Sequence, residues 1–306
     1  MRPIIGTAGR PSSGTRTASL ECRFEPDTVA LGNVPSNPYV FAMKVTFDSN
    51  AYRRVIDPEC FKKDPGIEDF RTVNAAILDG RILPFLSETV VTLECVPNVD
   101  RGAFFAGGKP KVEIEEVANE TSILLSFTIG ADNSTHPGVP DPAKRWLDKA
   151  LASGFLFMRA PRIGQPKPSY LDRPEIYAND EDIKARQDQF SQIGREIEAR
   201  SVGIAVAKAV GDRIKARLNS DEPWFSVLDK TKDNQEENEM RRSIAEWADG
   251  DTVAAHVGYA NAVLCTEDQG KSAGISIFDA SNRVWLEETY AIEFATLSQL
   301  ASKMRA

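Results

Sequence analysis

Two apolar runs, Lys44–Phe47 and Ile82–Leu86, each end where an amphipathic helical pattern begins, and this repeated handover most limits the folds open to the chain. In the first run Val45 and Phe47 share one strand face, and Tyr52, Val55 and Ile56 form the stripe of the helix that follows. In the second, Ser87 is placed to cap a helix carrying Thr89, Val90, Leu93 and Glu94. Between them the spacing of Phe70, Val73, Ala76 and Ile77 predicts a helix over Glu68–Leu78, with Gly80 as its stop. Strands joined in series through helices run parallel, with right-handed crossovers. The expected class is therefore α/β with a parallel sheet.

The remainder of the chain is read the same way. Residues 1–39 are rich in Gly, Pro, Ser and Thr and read as a flexible extension. Lys111–Val117 and Ser122–Ile129 alternate polar and apolar residues as a β-hairpin does. Helical patterns follow at Ala143–Leu151, Glu181–Arg200, Ile204–Leu218 and Glu236–Trp247, so 111–248 reads as a hairpin plus helical insertion. The core pattern resumes with a small-residue helix Thr252–Tyr259, an apolar strand Ala262–Cys265, a helix Ser281–Tyr290, a strand Ile292–Ala295 and a closing helix Leu297–Met304. The expected division is a core of 40–110 plus 249–306, interrupted by 111–248.

Composition narrows the function. A net charge of −8 argues against a general nucleic-acid coat protein, so a phosphate-bearing partner must be met by a local patch or through metal ions. No apolar run approaches the roughly 20 residues of a membrane span, and no secretory segment is evident, so a cytoplasmic location without membrane contact is expected. Cys22, Cys60, Cys95 and Cys265 are scattered and only two histidines are present, which indicates neither a disulfide framework nor a thiolate zinc site.

Acids recur near the carboxyl ends of the expected strands: Asp48, Glu94, Asp249 or Asp251, and Asp268. That edge of an open parallel sheet is where ligands bind. Asp48 can equally be a helix N-cap. Four acids meeting in one crevice would repel one another unless a cation neutralised them, and oxygen-only donors suit Mg²⁺ or Mn²⁺.

The runs VTFDSN at 45–50, SETVVTLE at 87–94 and DTVAAH…AVLCTED within 251–268 resemble the PIN-domain ribonucleases, a family that includes toxins of bacterial toxin–antitoxin pairs. The resemblance implies a three-layer α/β/α sandwich around a parallel sheet whose carboxylates gather Mg²⁺ or Mn²⁺. It implies that Asp48, Glu94, Asp251 and Asp268 hold the metal, with Asn50 and Thr266 beside them. Asp249 is the alternative to Asp251: the two lie about 200° apart on a helix, so only one can face the crevice. Asp251 is favoured on the expectation that Ala254 and Ala255 pack on the sheet and that Asp249 caps the helix. Glu88 rivals Glu94, and Glu267 stands beside the site.

The expected function is metal-dependent hydrolysis of RNA phosphodiester bonds, in a toxin–antitoxin or defence setting, with an antitoxin or other regulatory protein and a homo-oligomer as implied partners. The alternative is a non-catalytic PIN-like RNA- or protein-binding module. An aspartyl-phosphate phosphatase is disfavoured because Asp48-Ser49-Asn50 lacks a second aspartate. His256 reads as a core histidine or a phosphate donor, and His136 as exposed. The basic runs Arg159, Arg162, Lys167 and Lys208, Arg213, Lys215, Arg217 read as solvated faces, or as an RNA clamp where they border the acids. The tryptophans read as core anchors.

Overall fold

The apolar run expected as the first strand forms β1 (Met43–Phe47), buried from Val45 onward, and hands over at Asp48 to α1 (Ser49–Ile56). The computed structural model describes residues 42–97, 99–107, 110–118, 123–160, 166–178, 183–270 and 276–306; the readings of 1–39 and of Arg162 lie outside these. α2 (Ile67–Leu78) leads into β2 (Ile82–Ser87), followed by a π-helical turn at Val90–Glu94 and a short α3 (Arg101–Ala106). β3 (Pro110–Ala118) and β4 (Ile123–Ala131) pair antiparallel as a two-stranded sheet, as the alternation predicts. Then come α4 (Asp141–Ala152), β5 (Leu156–Met158), α5 (Ile183–Ala199), α6 (Ile204–Leu218) and α7 (Asn234–Gly258). The chain closes with β6 (Val263–Cys265), α8 (Ala280–Tyr290), β7 (Glu293–Ala295) and α9 (Leu297–Arg305).

Five strands form one parallel sheet in the order β5-β2-β1-β6-β7, so β1 is central. Helices cover both faces. Val45 and Phe47 point to one core, against Tyr52, Val55, Phe70, Val73, Leu147 and Leu300 of α1, α2, α4 and α9. Phe85, Met158 and Leu264 point to the other, against Phe190, Ile193, Val253 and Leu286 of α5, α7 and α8. A third cluster joins Leu93, Phe104, Phe105, Val210 and Ile214 to Trp247 on the first half of α7. Among the described residues no helix is long and apolar enough to cross a membrane.

Two features of the stretch 111–248 depart from the expectation. It supplies β5, which pairs with β2 at the edge of the sheet, and its helices help to build both cores. Moreover, the expected break near Asp249 does not exist: α7 is a single helix of 25 residues, capped at its start by Asp233, whose carboxylate accepts from Glu236 N at 2.8 Å. Gly250, which looks like a helix stop, is a close-approach residue instead. A Cβ there would stand 3.0 Å from the Cα of Gly203 at the start of α6.

Candidate active site

Asp48 occupies the carboxyl end of the central strand, its own peptide N–H bonded to Cys265 O at 3.0 Å. The choice between cap and site residue is not exclusive. One carboxylate oxygen accepts from Ser49 N at 2.6 Å and caps α1, while the other accepts from Asn50 Nδ2 and Thr266 Oγ1, both at 2.7 Å. Asn50 also accepts from Glu267 N at 3.0 Å, so the ends of β1 and β6 are stitched together through three polar side chains. Burial pushes the Asp48 carboxyl above its ordinary pKa, and the charge of Asp268 adds to this, against the hydrogen bonds it accepts.

Three more carboxylates are linked electrostatically to this one. Glu94 ends the π-helical turn, where Cys95 N bonds back to Val90 O at 3.0 Å instead of one residue later. That extra residue rotates the acid relative to a regular helix, and such turns frequently occur at functional sites. Burial, then the charge of Asp48, pushes the Glu94 carboxyl up to about 7. Asp249, on the middle of α7, is raised well above its ordinary value by burial and then by Asp48, Glu94, Glu246 and Asp268. Asp268 lies just beyond β6, with its N–H donated to Thr266 Oγ1 at 3.1 Å and one carboxylate oxygen accepting from Gly270 N at 2.7 Å. Asp48 is buried and the other three are half-buried.

Asp249, and not the favoured Asp251, stands in this group. Asp251 is buried on another side of α7, lining a cleft of about 250 Å³ with Phe190, Arg195 and Glu198 of α5. Ala254 and Ala255 do not mark the side of α7 that faces the crevice, because the helix is buried from Gly250 to Gly258 without a gap and neighbouring burial does not discriminate faces. The premise that Asp249 caps the helix also falls, because the helix starts at Asn234.

Glu88 is occupied elsewhere. It is buried and accepts from Lys167 Nζ at 2.8 and 3.0 Å, Tyr177 Oη at 3.1 Å and Ala160 N at 2.8 Å, which fixes the chain after β5. Glu267 turns away from the crevice and accepts from Leu297 N at 2.9 Å, at the start of α9. His136, expected as exposed, is buried against the edge of Phe104 and accepts from Gly138 N at 3.0 Å. On α6, Arg213 and Arg217 pair with Glu236 and Glu239 of α7, and Lys208 with Glu198, which accounts for these three residues of the run as ion pairs between helices.

Cations that sequence reasoning did not single out border the acids. Arg53 of α1 and Arg101 of α3 both bear electrostatically on Glu94, and Arg101 donates to the Val96 and Glu94 carbonyls at 3.2 Å. Arg283 of α8 donates to the Asp268 carbonyl and faces the charges of Asp268 and Asp48. Arg53 alone had a legible signal, lying in the last turn of the short helix that Asp48 caps. The donor chemistry of Asp48, Glu94, Asp249 and Asp268 fits a hard divalent cation, whose charge would oppose the repulsion that adds to burial in raising the pKa of Asp48, Glu94 and Asp249. Among the described residues, however, no three His, Cys, Asp or Glu side chains stand close enough to form a chelating group.

The fold and site thus define an α/β protein with electrostatically linked acids near the carboxyl edge of a parallel sheet. Comparison with protein-family models, with curated proteins and with solved structures yields no match for this chain.

Proposed function

We propose that this chain is a metal-dependent endoribonuclease on a PIN-like α/β/α core, hydrolysing RNA phosphodiester bonds. The observation that supports it is the convergence of Asp48, Glu94, Asp249 and Asp268 on one sheet edge, with mutual charge contributing to the raised pKa of Asp48, Glu94 and Asp249. These four residues would hold Mg²⁺ or Mn²⁺, which supplies a water of lowered pKa and steadies the leaving oxygen. Thr266 and Asn50 fix the Asp48 carboxylate by donating to the same oxygen, so its outward direction is set before any ligand arrives. Arg53 and Arg101 give the rim positive charge on the Glu94 side, where a phosphate would otherwise meet only acids.

Cleavage of labelled RNA by the purified chain in Mn²⁺ tests the reading. Loss of an outer partner alone commonly costs 10–100-fold, so Asp249→Asn, which removes a proposed direct ligand, is expected to lower the rate by about 100-fold or more. Asp251→Asn should stay within a few-fold of the parent, provided circular dichroism shows both variants folded. The reverse ranking overturns the ligand set. A second reading, a non-catalytic PIN-like binding module, is favoured by one observation: the carboxylates do not stand as a chelating group. It prevails if the parent chain binds no Mn²⁺ and cleaves no RNA.

A further inference from the structure

Three of the acids are each followed in the chain by an arginine: Asp48 by Arg53 of α1, Glu94 by Arg101 of α3 and Asp268 by Arg283 of α8. Arg53 and Arg101 act electrostatically on Glu94, and Arg283 faces the charges of Asp268 and Asp48. Yet among the described residues none of the three forms an ion pair with a carboxylate. Elsewhere Arg71, Arg213, Arg217, Arg241 and Arg305 all do.

Backbone carbonyls take the place of carboxylates. Arg101, only 9% exposed, donates from Nε to Val96 O and from Nη2 to Glu94 O, both at 3.2 Å. Arg283, half-buried, donates from Nε to Phe278 O at 2.8 Å and from Nη2 to Asp268 O. Both guanidiniums are therefore fixed along the same side, and Nη1 of each is left without a partner. Neither Nη1 is buried, so the free end of each fork reaches solvent. With two of five donors used, Nη1 and the second Nη2 hydrogen remain as the parallel pair that suits one oxyanion. Arg53 is exposed, and only its Nε is engaged, on Tyr52 Oη at 3.2 Å.

The sheet order sets the arginines on two sides. β2, which leads to Glu94 and Arg101, and β6, which leads to Asp268 and Arg283, flank the central β1. Those two strands lie roughly 10 Å apart, too far for one phosphate to bridge the guanidiniums beyond them. We propose that Arg101, with Arg53 beside it, and Arg283 hold two different phosphates of one RNA strand, one on each side of the acids. The strand then crosses the group from the β2 side to the β6 side, and the bond presented to the acids lies inside it and not at its end. RNA as the ligand rests on the nuclease reading, whereas the two anion sites rest on the arginines themselves.

The test measures binding of a labelled oligouridylate to the full chain by fluorescence anisotropy in Ca²⁺, with the RNA verified intact on a gel. Arg101→Gln and Arg283→Gln should each weaken binding about tenfold. Each should also flatten the dependence of log affinity on log salt by roughly 0.7, the share of one single-strand phosphate. The two losses should multiply in the double variant, because separate phosphates are involved. Arg101→Lys and Arg283→Lys keep the charge and lose the fork, so the salt slope should return with part of the affinity. Arg71→Gln, which removes a guanidinium paired with Glu59 and Glu68, should bind as the parent does. Where Arg101→Gln fails to fold, the exposed Arg53→Gln reports for that side through the same change of slope. No binding by the parent, an unchanged slope in the Gln variants, an equal loss in Arg71→Gln, or a double variant no weaker than either single overturns the proposal. Absence of cleavage in Mn²⁺ with these binding losses intact removes the nuclease reading and leaves the two phosphate sites standing.

Discussion

Burial and mutual charge bias Asp48, Glu94 and Asp249 toward the protonated form, and the energetic consequence is pH dependence. A carboxyl whose pKa is higher folded than unfolded binds more protons in the folded chain between the two values, so stability falls as pH rises through that window. For Glu94 the window runs from 4.5 to about 7. The full linkage is discounted because Glu94 is half-buried, leaving on the order of 2 kcal/mol. With a chelator present, urea unfolding should therefore show the parent losing stability between pH 4.5 and 7.5, and Glu94→Gln should flatten that slope and be the more stable protein above pH 7. Asp48 and Asp249 shift in the same direction, so some slope should remain in the variant. An unchanged slope would place Glu94 outside the cluster. At this scale Asp48, Glu94 and Asp268 could be read from sequence as acids near the ends of apolar strand runs, whereas Asn50 and Thr266 joined them through the family resemblance. Asp249 could not be separated from Asp251, since the choice depends on what surrounds α7, and helices from distant parts of the chain surround it.

Among the elements, the handovers β1–α1 and β2 to the Glu94 turn were legible because alternation and helical spacing change sharply at Asp48 and Ser87. β5 was not: Leu156-Phe157-Met158 is three residues long, too short to show a period, and it becomes a strand only because β2 offers it an open edge. The continuity of α7 was hidden by Asp249-Gly250-Asp251, which carries the residue types of a helix stop and a new cap. Glycine serves tight packing there and again in α6, where Gly211 faces the 224–227 turn. A Cβ on Gly211 would lie 2.4 Å from the backbone oxygen of Trp224. Intrinsic propensity favours Ala over Gly in a helix by about 1 kcal/mol. The overlap is with backbone and has no flexible side chain to yield, and overpacking of this kind costs roughly 1–3 kcal/mol or more. Gly211→Ala is therefore expected to destabilise the chain by about 1–2 kcal/mol, read as a lower urea midpoint at unchanged slope; a higher midpoint would show that the turn can move aside.

Over the whole molecule, α7 is the element through which the parts communicate. Its first half packs Trp247 and Ile244 into the cluster with α3 and α6, its second half packs Val253 and Ala254 on the sheet, and Asp249 stands between. The crevice acids are thus carried by β1, the Glu94 turn, α7 and the β6 end, elements far apart in sequence, and mutual repulsion among them opposes the closed arrangement of the entire fold. A cation that binds them in the folded chain alone would stabilise it by about 2.7 kcal/mol at a hundred times its dissociation constant. Binding needs the carboxylates deprotonated, and the raised pKa of Glu94 and Asp249 makes this incomplete in acid. Mn²⁺ should accordingly raise the melting temperature strongly at pH 8 and weakly at pH 5. The gain at pH 8 should vanish in Asp249→Asn, which removes a proposed ligand, and persist in Asp251→Asn, whose side chain lines the α5 cleft. If Mn²⁺ stabilised both variants and the parent alike, the ion would be bound elsewhere on this chain of net charge −8, and the crevice would be a strained but metal-free feature of the fold.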